Sequence, residues 1–529
     1  MKRGLFFVAI AYQMTLFADW GPPIDVYTEN PAGTSAVGID NNGNAMIGYS
    51  WLHFMDANAG ATQLIDGVPT NTINFPVAIF SGIVNTLNIA VNSSGNATLV
   101  WTEFNGNFST EFVRSASFLN EAWSSPIALT DPSVENVQTN SPPGITIDTA
   151  NGSLGIWAPM NSTTSDFNVR YDQYSSGMWG GETNLNTPSS DFIPTAFISG
   201  SPSGQAFALW PNTGLFQLQG AYFNGTSWMV NSNISSDLNT SCIAPIAVSM
   251  NSSNHALILW NNESLGGVSS ILFSGGSYGL EQQVFVPFAG EIVQSVAVAL
   301  DEADDGAAIW VAYDGGTFTS TLYFASFIGG NWGPLVLLDQ ILGDMAGLLS
   351  LNIGLDGAGN AVIVWQRTNQ DTTTGVMASY MTKGAINAPV PTLLSTDTTD
   401  GVAPDLAVNS SGQAVACWQN GAFLGTAIQA AIGNFSIAPT PPLNLNGSQV
   451  KNRFATQIDL VNVLNWNASV DPSVVKYFIF RDGMRIAIVS ASSPLTYRDH
   501  NRSGQTTLYE VTAVDENDSE SAPVSIYIP

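Results

Sequence analysis

Residues 88–101 read NIAVNSSGNATLVW and residues 352–365 read NIGLDGAGNAVIVW. Each reads as two short strands joined by a tight turn. An apolar run reaches Asn or Asp, a Gly follows within a few residues, and a second apolar run ends on Trp. Asp or Asn followed by Gly suits a turn because these residues tolerate positive φ or hydrogen-bond their own backbone. On the second strand Ala97, Leu99 and Trp101 line one face and Thr98 and Val100 the other, while Ala361, Ile363 and Trp365 oppose Val362 and Val364. A sheet wetted on one face alternates apolar and polar residues, so strands of this kind are expected to be covered on both sides.

The pattern recurs along the chain. Counterparts end at Trp51 (AVGIDNNGNAMIGYSW), Trp157, Trp210, Trp260, Trp310 and Trp418, and successive Trp residues are 50, 56, 53, 50, 50, 55 and 53 apart. The copy at Trp51 is the most irregular, its Trp standing eight residues after Gly43. The rest of each repeat supplies a third strand, a turn that often carries an aromatic residue, and a fourth strand, as in EFVRSASFLNEAWSSPIALT around Trp123 and LYFASFIGGNWGPLVLLD around Trp332. Four covered strands in about 50 residues is the arithmetic of a β-propeller blade. A stacked sandwich domain would take about 100 residues. The expected fold class is therefore all-β, an eight-bladed β-propeller.

The ends of the repeat region bear on its closure. After Trp418 the last copy supplies a third strand, AIQAAIGNF, and then breaks at APTPPL, so its fourth strand is missing. The segment DWGPPIDVYTEN from Asp19 matches AWSSPIALTD and NWGPLVLLDQ, which puts Trp20 in the place of Trp123 and Trp332. Residues 19–29 are expected to supply that outer strand, closing the ring and protecting a sheet edge.

Organisation follows from these boundaries. Lys2 and Arg3 precede an apolar run from Gly4 toward Ala18, which reads as a signal peptide over residues 1–18. The propeller takes 19–437, a proline-rich linker 438–443, and a second domain 444–529. The repeats resemble the D-x-x-G-N-A-φ-x-φ-W repeats of secreted bacterial propeller proteins, and that resemblance implies a fold far more than an activity. Residues 444–529 carry VLNWNAS around Trp466, VVKYFIFRDGMRIA from Val474, TYRD at Tyr497–Asp499 and TLYEVTAVDENDSES with Tyr509. In this order they resemble a fibronectin type III β-sandwich. That resemblance implies a core Trp between two sheets, a strand-joining turn at Arg481-Asp482-Gly483, and a late Tyr fixing a strand corner.

Composition narrows the function. The chain has 529 residues and a net charge of −28, and residues 19–437 hold 32 acidic residues against Arg114, Arg170, Arg367 and Lys383. Such a balance excludes nucleic acid, whose phosphates need Lys and Arg. Two Cys, Cys242 and Cys417, exclude a disulfide framework and are expected to be unpaired. Beyond the leader, no uncharged apolar run approaches the roughly 20 residues of a membrane helix, so no membrane-spanning segment is expected in the mature chain. His53, His255 and His500 share no metal-ligand spacing. A sialidase-like site needs clustered arginines, and Arg114 and Arg170 occupy similar third-strand places in adjacent repeats, away from the axis. The segment DEADDG at Asp301–Gly306 is the one local acidic cluster. Calcium near Asp301, Asp304 and Asp305 is weighed there against ordinary turn chemistry, because calcium wants six to eight oxygens. The turn aromatics Trp123, Trp179, Trp228, Tyr278 and Trp332 are the candidate ligand contacts, with packing at the blade edge as the alternative reading.

The expectation is a secreted, extracellular or cell-surface protein, with the periplasm as the other destination. It is expected to bind an extracellular protein or glycan without catalysis and without a cofactor. The alternatives are a secreted carbohydrate-active enzyme, glycosidase or lyase, or a propeller lectin.

Overall fold

The computed structural model describes residues 19–529 except 29–31, 54–55, 77–83, 105–110, 131–134, 138–141, 162–163, 236–244, 263–266, 289, 344–346, 397–400, 422–426, 436–438, 454–457, 472–473, 503–505, 516–520 and 522. The expected leader and Cys242 lie outside the described residues. Regular structure is β throughout, in small antiparallel sheets, and the chain divides into two compact units, Met1–Phe435 and Ser436–Pro529.

In the first unit the described residues form eight sheets of four or five strands, each named below by the buried aromatic on its second strand. The Trp101 sheet shows the plan. Val84–Val91 pairs with Ala97–Phe104, which pairs with Glu111–Leu119, and that strand carries Ala122–Trp123 and Ile127–Ala128 on its far edge. A two-stranded sheet, Glu135–Val137 with Pro159–Asn161, stands outside this plan. The first strands lie side by side in chain order: Ala32–Ile39, Val84–Val91, Gly144–Ile147, Phe197–Gly200, Ile246–Met250, Glu291–Leu300, Gly347–Leu355 and Gly401–Val408. The last of these lies against the first, so the succession of neighbours closes on itself.

One turn joins first to second strand in all eight sheets. It is capped by Asp40, Asn92, Asp148, Ser201, Asn251, Asp301, Asp356 or Asn409. The cap's N–H donates to the carbonyl four residues on, and its carbonyl accepts from the residue three on. That third residue is left-handed every time, whether Gly, as at Gly43 (φ 83°) and Gly95 (φ 81°), or Asn151 (φ 69°), Asn254 (φ 65°) and Asp304 (φ 63°). Each Asp or Asn cap also accepts, through Oδ1, the N–H groups two and four residues on, as Asp40 does from Asn42 and Asn44 at 2.8 Å. One side-chain oxygen suffices for this, so either Asp or Asn can close the turn itself.

Nine residues after the cap comes Trp101, Trp157, Trp210, Trp260, Trp310, Trp365 or Trp418, none more than 1% exposed. Each ring packs on the preceding sheet: Trp101 with Met46 and Phe75, Trp310 with Leu257 and Leu259, Trp418 with Val362 and Val364. In the first sheet this slot holds Tyr49, fully buried against Val415 and Cys417 of the last sheet, while Trp51 is half-buried two residues further on. The expectation that Trp51 matches the other repeat Trp residues is corrected accordingly. The irregularity of the first copy is a change of aromatic, with the spacing intact.

Residues 19–27 join the last repeat. Asp19 and Trp20 pair with Asn434 and Gly433, and Ile24 with Ala430, along the outer edge of Ala427–Asn434. Trp20 sits edge-on to Phe435 at 5.3 Å, and Gln429 Nε2 donates to Asp25 Oδ1 at 2.9 Å.

The second unit has two sheets. One contains Leu443–Arg453, Ile458–Asn467 and Thr496–Asp499, and the other runs Met484–Ser490, Val474–Arg481, Thr507–Asp515, Val524–Ile528. Trp466, Tyr477, Tyr509, Leu464, Ile479 and Val511 share one core. Asp482 and Gly483 both have positive φ, 50° and 79°, which is the two-residue hairpin turn whose twist suits adjoining strands. Tyr509 donates its hydroxyl to Asp499 Oδ2 at 2.6 Å and accepts from Asn462 Nδ2 at 3.1 Å. Burial and the bond to that carboxylate push its phenol up to about 12. Leu443 already belongs to a strand, and Thr440 bonds Ser469, so the proline segment is tied to this unit.

Candidate functional site

The five turn aromatics are spread one to a sheet, each half-buried at the start of an outer strand. Trp123 meets Phe75 and Phe118 at 5.3 and 5.4 Å, Trp228 meets Tyr171 and Phe223, and Tyr278 meets Phe207 and Phe273. Trp179 meets Tyr174 edge-on at 5.5 Å, and Trp332 donates its indole N–H to Ser270 of the neighbouring sheet at 2.7 Å. Trp123, Trp228, Tyr278 and Trp332 thus bridge from their own sheet to the one before, and the structure does not gather the five into one surface.

The acidic segment is occupied by partners from this chain. Asp301 Oδ1 caps its own turn, while Lys383 Nζ lies 2.9 Å from Asp301 Oδ2 and 2.8 Å from Asp305 Oδ2. Burial works to lower the Lys383 ammonium, but the bonds to Asp305 and Asp301 outweigh it and hold it above its ordinary value. Asp304 Oδ1 accepts from Asn251 Nδ2 at 2.8 Å and meets His255 Nδ1 at 2.7 Å. Among the described residues no group of three or more His, Cys, Asp or Glu is placed to hold a metal ion.

The arginines are committed too. Arg114 and Arg170 stand opposite Trp101 and Trp157 on their third strands, and each pairs with a carboxylate of its own sheet, Glu103 at 3.0 Å and Glu182 at 3.1 Å. Arg367 pairs with Asp339. His500 meets Asp459 in the second unit at 2.7 Å.

A cleft opens elsewhere, between the Trp157 and Trp210 sheets. The outer strand of the Trp157 sheet stops after Thr183–Asn184, and residues 185–196 cross irregularly to the next sheet. That crossing leaves a cavity of about 680 Å³ lined by Asn184, Asn186, Asp191, Asn212, Leu215 and Gln219, with Trp210 sealed at its base. The wall is built from bonded amides. Asn186 Oδ1 accepts the Val169 N–H at 2.6 Å, and Asn212 Oδ1 accepts the Leu215 N–H at 3.1 Å. A backbone N–H can bond only the oxygen of an amide, so these contacts orient both side chains and leave Nδ2 as the remaining polar end. Asn184 Oδ1 accepts from Asn168 Nδ2 at 2.7 Å, and Gln219 Oε1 takes the Trp210 indole at 2.8 Å. Asp191 bonds Ser189 and is the one carboxylate in the described lining, which contains no Lys, Arg or His. Apart from Trp210, none of these residues carries a repeat signature. The one available signal is the Asn/Ser-rich stretch NLNTPSSD at Asn184–Asp191, placed where a fourth strand should have continued.

No family model matches the chain, and no curated protein matches its sequence. Among solved structures, the polysaccharide lyase Uly1 aligns with 76% of this chain and 89% of its own at 10% identity and a TM-score of 0.41. An α-L-arabinanase of Penicillium chrysogenum, complexed with arabinobiose, aligns over 79% and 99% at 8% identity and a TM-score of 0.36. The Hadza microbial sialidase Hz136 aligns over 54% of this chain and 66% of its own, at 11% identity and a TM-score of 0.35. The chain is similar to these only as an all-β arrangement of many small sheets.

Proposed function

We propose that this chain is an exported, non-catalytic binding protein. In this reading its first unit is an eight-bladed β-propeller whose N-terminal strand closes the last blade, and its second is a fibronectin type III sandwich serving as spacer or second contact. Three observations support the scaffold: eight copies of one capped turn, first strands that close on themselves, and the three- and four-stranded sheets around Trp466 and Tyr509. The basic head at Lys2 and Arg3 with its apolar run supports export. The partner is an extracellular protein or glycan.

The observation that carries the binding reading is the polar cleft between the Trp157 and Trp210 sheets. It offers amide ends and a single carboxylate, whereas glycoside hydrolysis takes a pair of carboxyls across the scissile bond. The test is direct. Protein recovered from outside expressing cells should begin near Asp19 by mass spectrometry. Incubated with a panel of plant, fungal and bacterial polysaccharides, it should release neither reducing ends nor unsaturated products. Retention inside the cell, or sustained product release, would overturn the proposal.

A further inference from the structure

We infer that the cleft beside Trp210 takes a neutral saccharide, an inference that rests on the binding reading and names its ligand. The chemistry of the wall selects the class. The Nδ2 groups of Asn186 and Asn212 are donors whose amide oxygens are already held by backbone N–H groups, so they need acceptors. Asp191 keeps acceptor capacity beyond its bond with Ser189. A ligand satisfying both must donate and accept within one cavity, which is what a set of hydroxyl groups does. An ammonium ligand would satisfy Asp191 and leave the amide donors without acceptors. An anionic ligand, such as a uronate or sialic acid, would face Asp191 with no Lys, Arg or His in the described lining, inside a segment of 32 acidic residues and 4 basic ones.

Size and surface agree. A volume of about 680 Å³ lies within the roughly 300–1,000 Å³ of small-molecule sites, enough for a short oligosaccharide. Leu215 and Pro188 supply exposed apolar surface beside the amides for the C–H faces of a sugar ring. The Trp210 indole is spent on Gln219, so Trp210 supports the floor and does not serve as a stacking platform.

The test uses the mature full chain on a glycan array, followed by calorimetric titration of neutral oligosaccharides up to millimolar concentration. Asn186→Asp and Asn212→Asp keep the oxygen that holds the backbone and remove the donor. Each should weaken binding about tenfold or more; Asn186→Asp, at a half-buried site, should leave the melting temperature within a degree or two, whereas the buried carboxylate of Asn212→Asp lowers it. Val390→Ala, at an exposed position of the Trp365 repeat, should leave affinity unchanged. Full affinity in the Asn186→Asp, Asn212→Asp double variant would overturn the site. Binding confined to sialylated or uronate glycans, or no binding to any neutral glycan, would overturn the ligand class and leave the binding reading to be met by another partner. Cleavage of the bound glycan would instead overturn the non-catalytic reading while leaving the cleft as its site.

Discussion

Asn92 reaches out of its own turn, donating Nδ2 to the Asp148 carbonyl at 3.0 Å and to Asn151 Oδ1 at 2.8 Å in the next sheet. Asn251 does the same to the Asp301 carbonyl and Asp304 Oδ1, and Asn409 reaches the Asp40 carbonyl at 3.0 Å, from last sheet to first. Where the cap is Asp, the next turn has Gly at its left-handed position. A Cβ built on Gly95 would lie 3.1 Å from Asp40 Oδ2, and one on Gly204 would lie 2.9 Å from Asp148 Oδ2. Asp and Asn are thus interchangeable within a turn and distinct between turns. Asn409→Asp should therefore lose the donor and set a carboxylate against a carbonyl, costing about 1–3 kcal/mol, read as a lower denaturation midpoint in urea. A second residue-scale prediction concerns Asp405, whose carboxylate accepts the Val37 N–H at 2.8 Å and the Asn352 amide. Burial pushes this carboxyl up, and its hydrogen bonds only partly offset that. A pKa raised on folding favours the folded state below the unfolded value, and that benefit is lost as pH rises through the folded value. Asp405→Asn keeps one acceptor and turns Nδ2 toward a donor, so it should melt lower than the parent, by a margin that widens from pH 7 to pH 4. A constant difference across that range would contradict the assignment.

At the level of strands, the repeat Trp residues differ in one respect that packing alone does not reveal. The Trp365 indole donates to Asp339 at 3.0 Å, whereas Trp310 Nε1 is buried with no partner among the described residues. Both rings are fully covered, so replacement by Phe creates a similar loss of volume. Trp365→Phe also deprives a buried carboxylate of a donor and should cost about 1–2 kcal/mol more than Trp310→Phe, measured by thermal unfolding of the pair. The N-terminal strand makes a different prediction. Deleting residues 19–27 bares the edge of Ala427–Asn434. The truncated protein should melt lower and elute as dimers or larger species in size-exclusion chromatography. Much of this level was legible beforehand. The pairing partner of residues 19–27 was readable from the match of DWGPPIDVYTEN to the fourth-strand segments, because a turn aromatic and its following strand recur together. Trp51 was misplaced because Tyr49 and Trp51 are two residues apart and share a strand face, so alternation cannot separate them; only the count of nine from Asp40 does. The cleft was not legible. Its residues come from the crossing after Asn184, where periodicity ends, and its amides are positioned by backbone partners that no local pattern announces.

For the molecule as a whole, charge is the property that solution conditions can alter. Residues 19–437 hold 32 acidic residues against 4 basic ones, and those four form ion pairs inside the first unit, so the excess negative charge has no internal counterpart. Self-repulsion of this kind is screened over about 10 Å at 0.1 M salt. The melting temperature of the first unit should rise by several degrees between 10 and 200 mM sodium chloride, while residues 436–529, with 9 acidic and 7 basic residues, should respond weakly. Calorimetry across that salt range checks both.

The union of residues 19–27 with the last repeat also sets a clock on biogenesis. Asp25 and Gln429 bond at a separation of 404 residues, so residues 24–27 must wait for the third strand of the last repeat. At about 5–20 residues per second, a ribosome needs roughly 20–80 s to cover that distance. Throughout that interval the early repeats must persist as an open arc with an unmet partner, and the final docking is a long-range search of the slow kind. The edge of Ala427–Asn434 and the strand that covers it therefore meet only after the eighth repeat has been made.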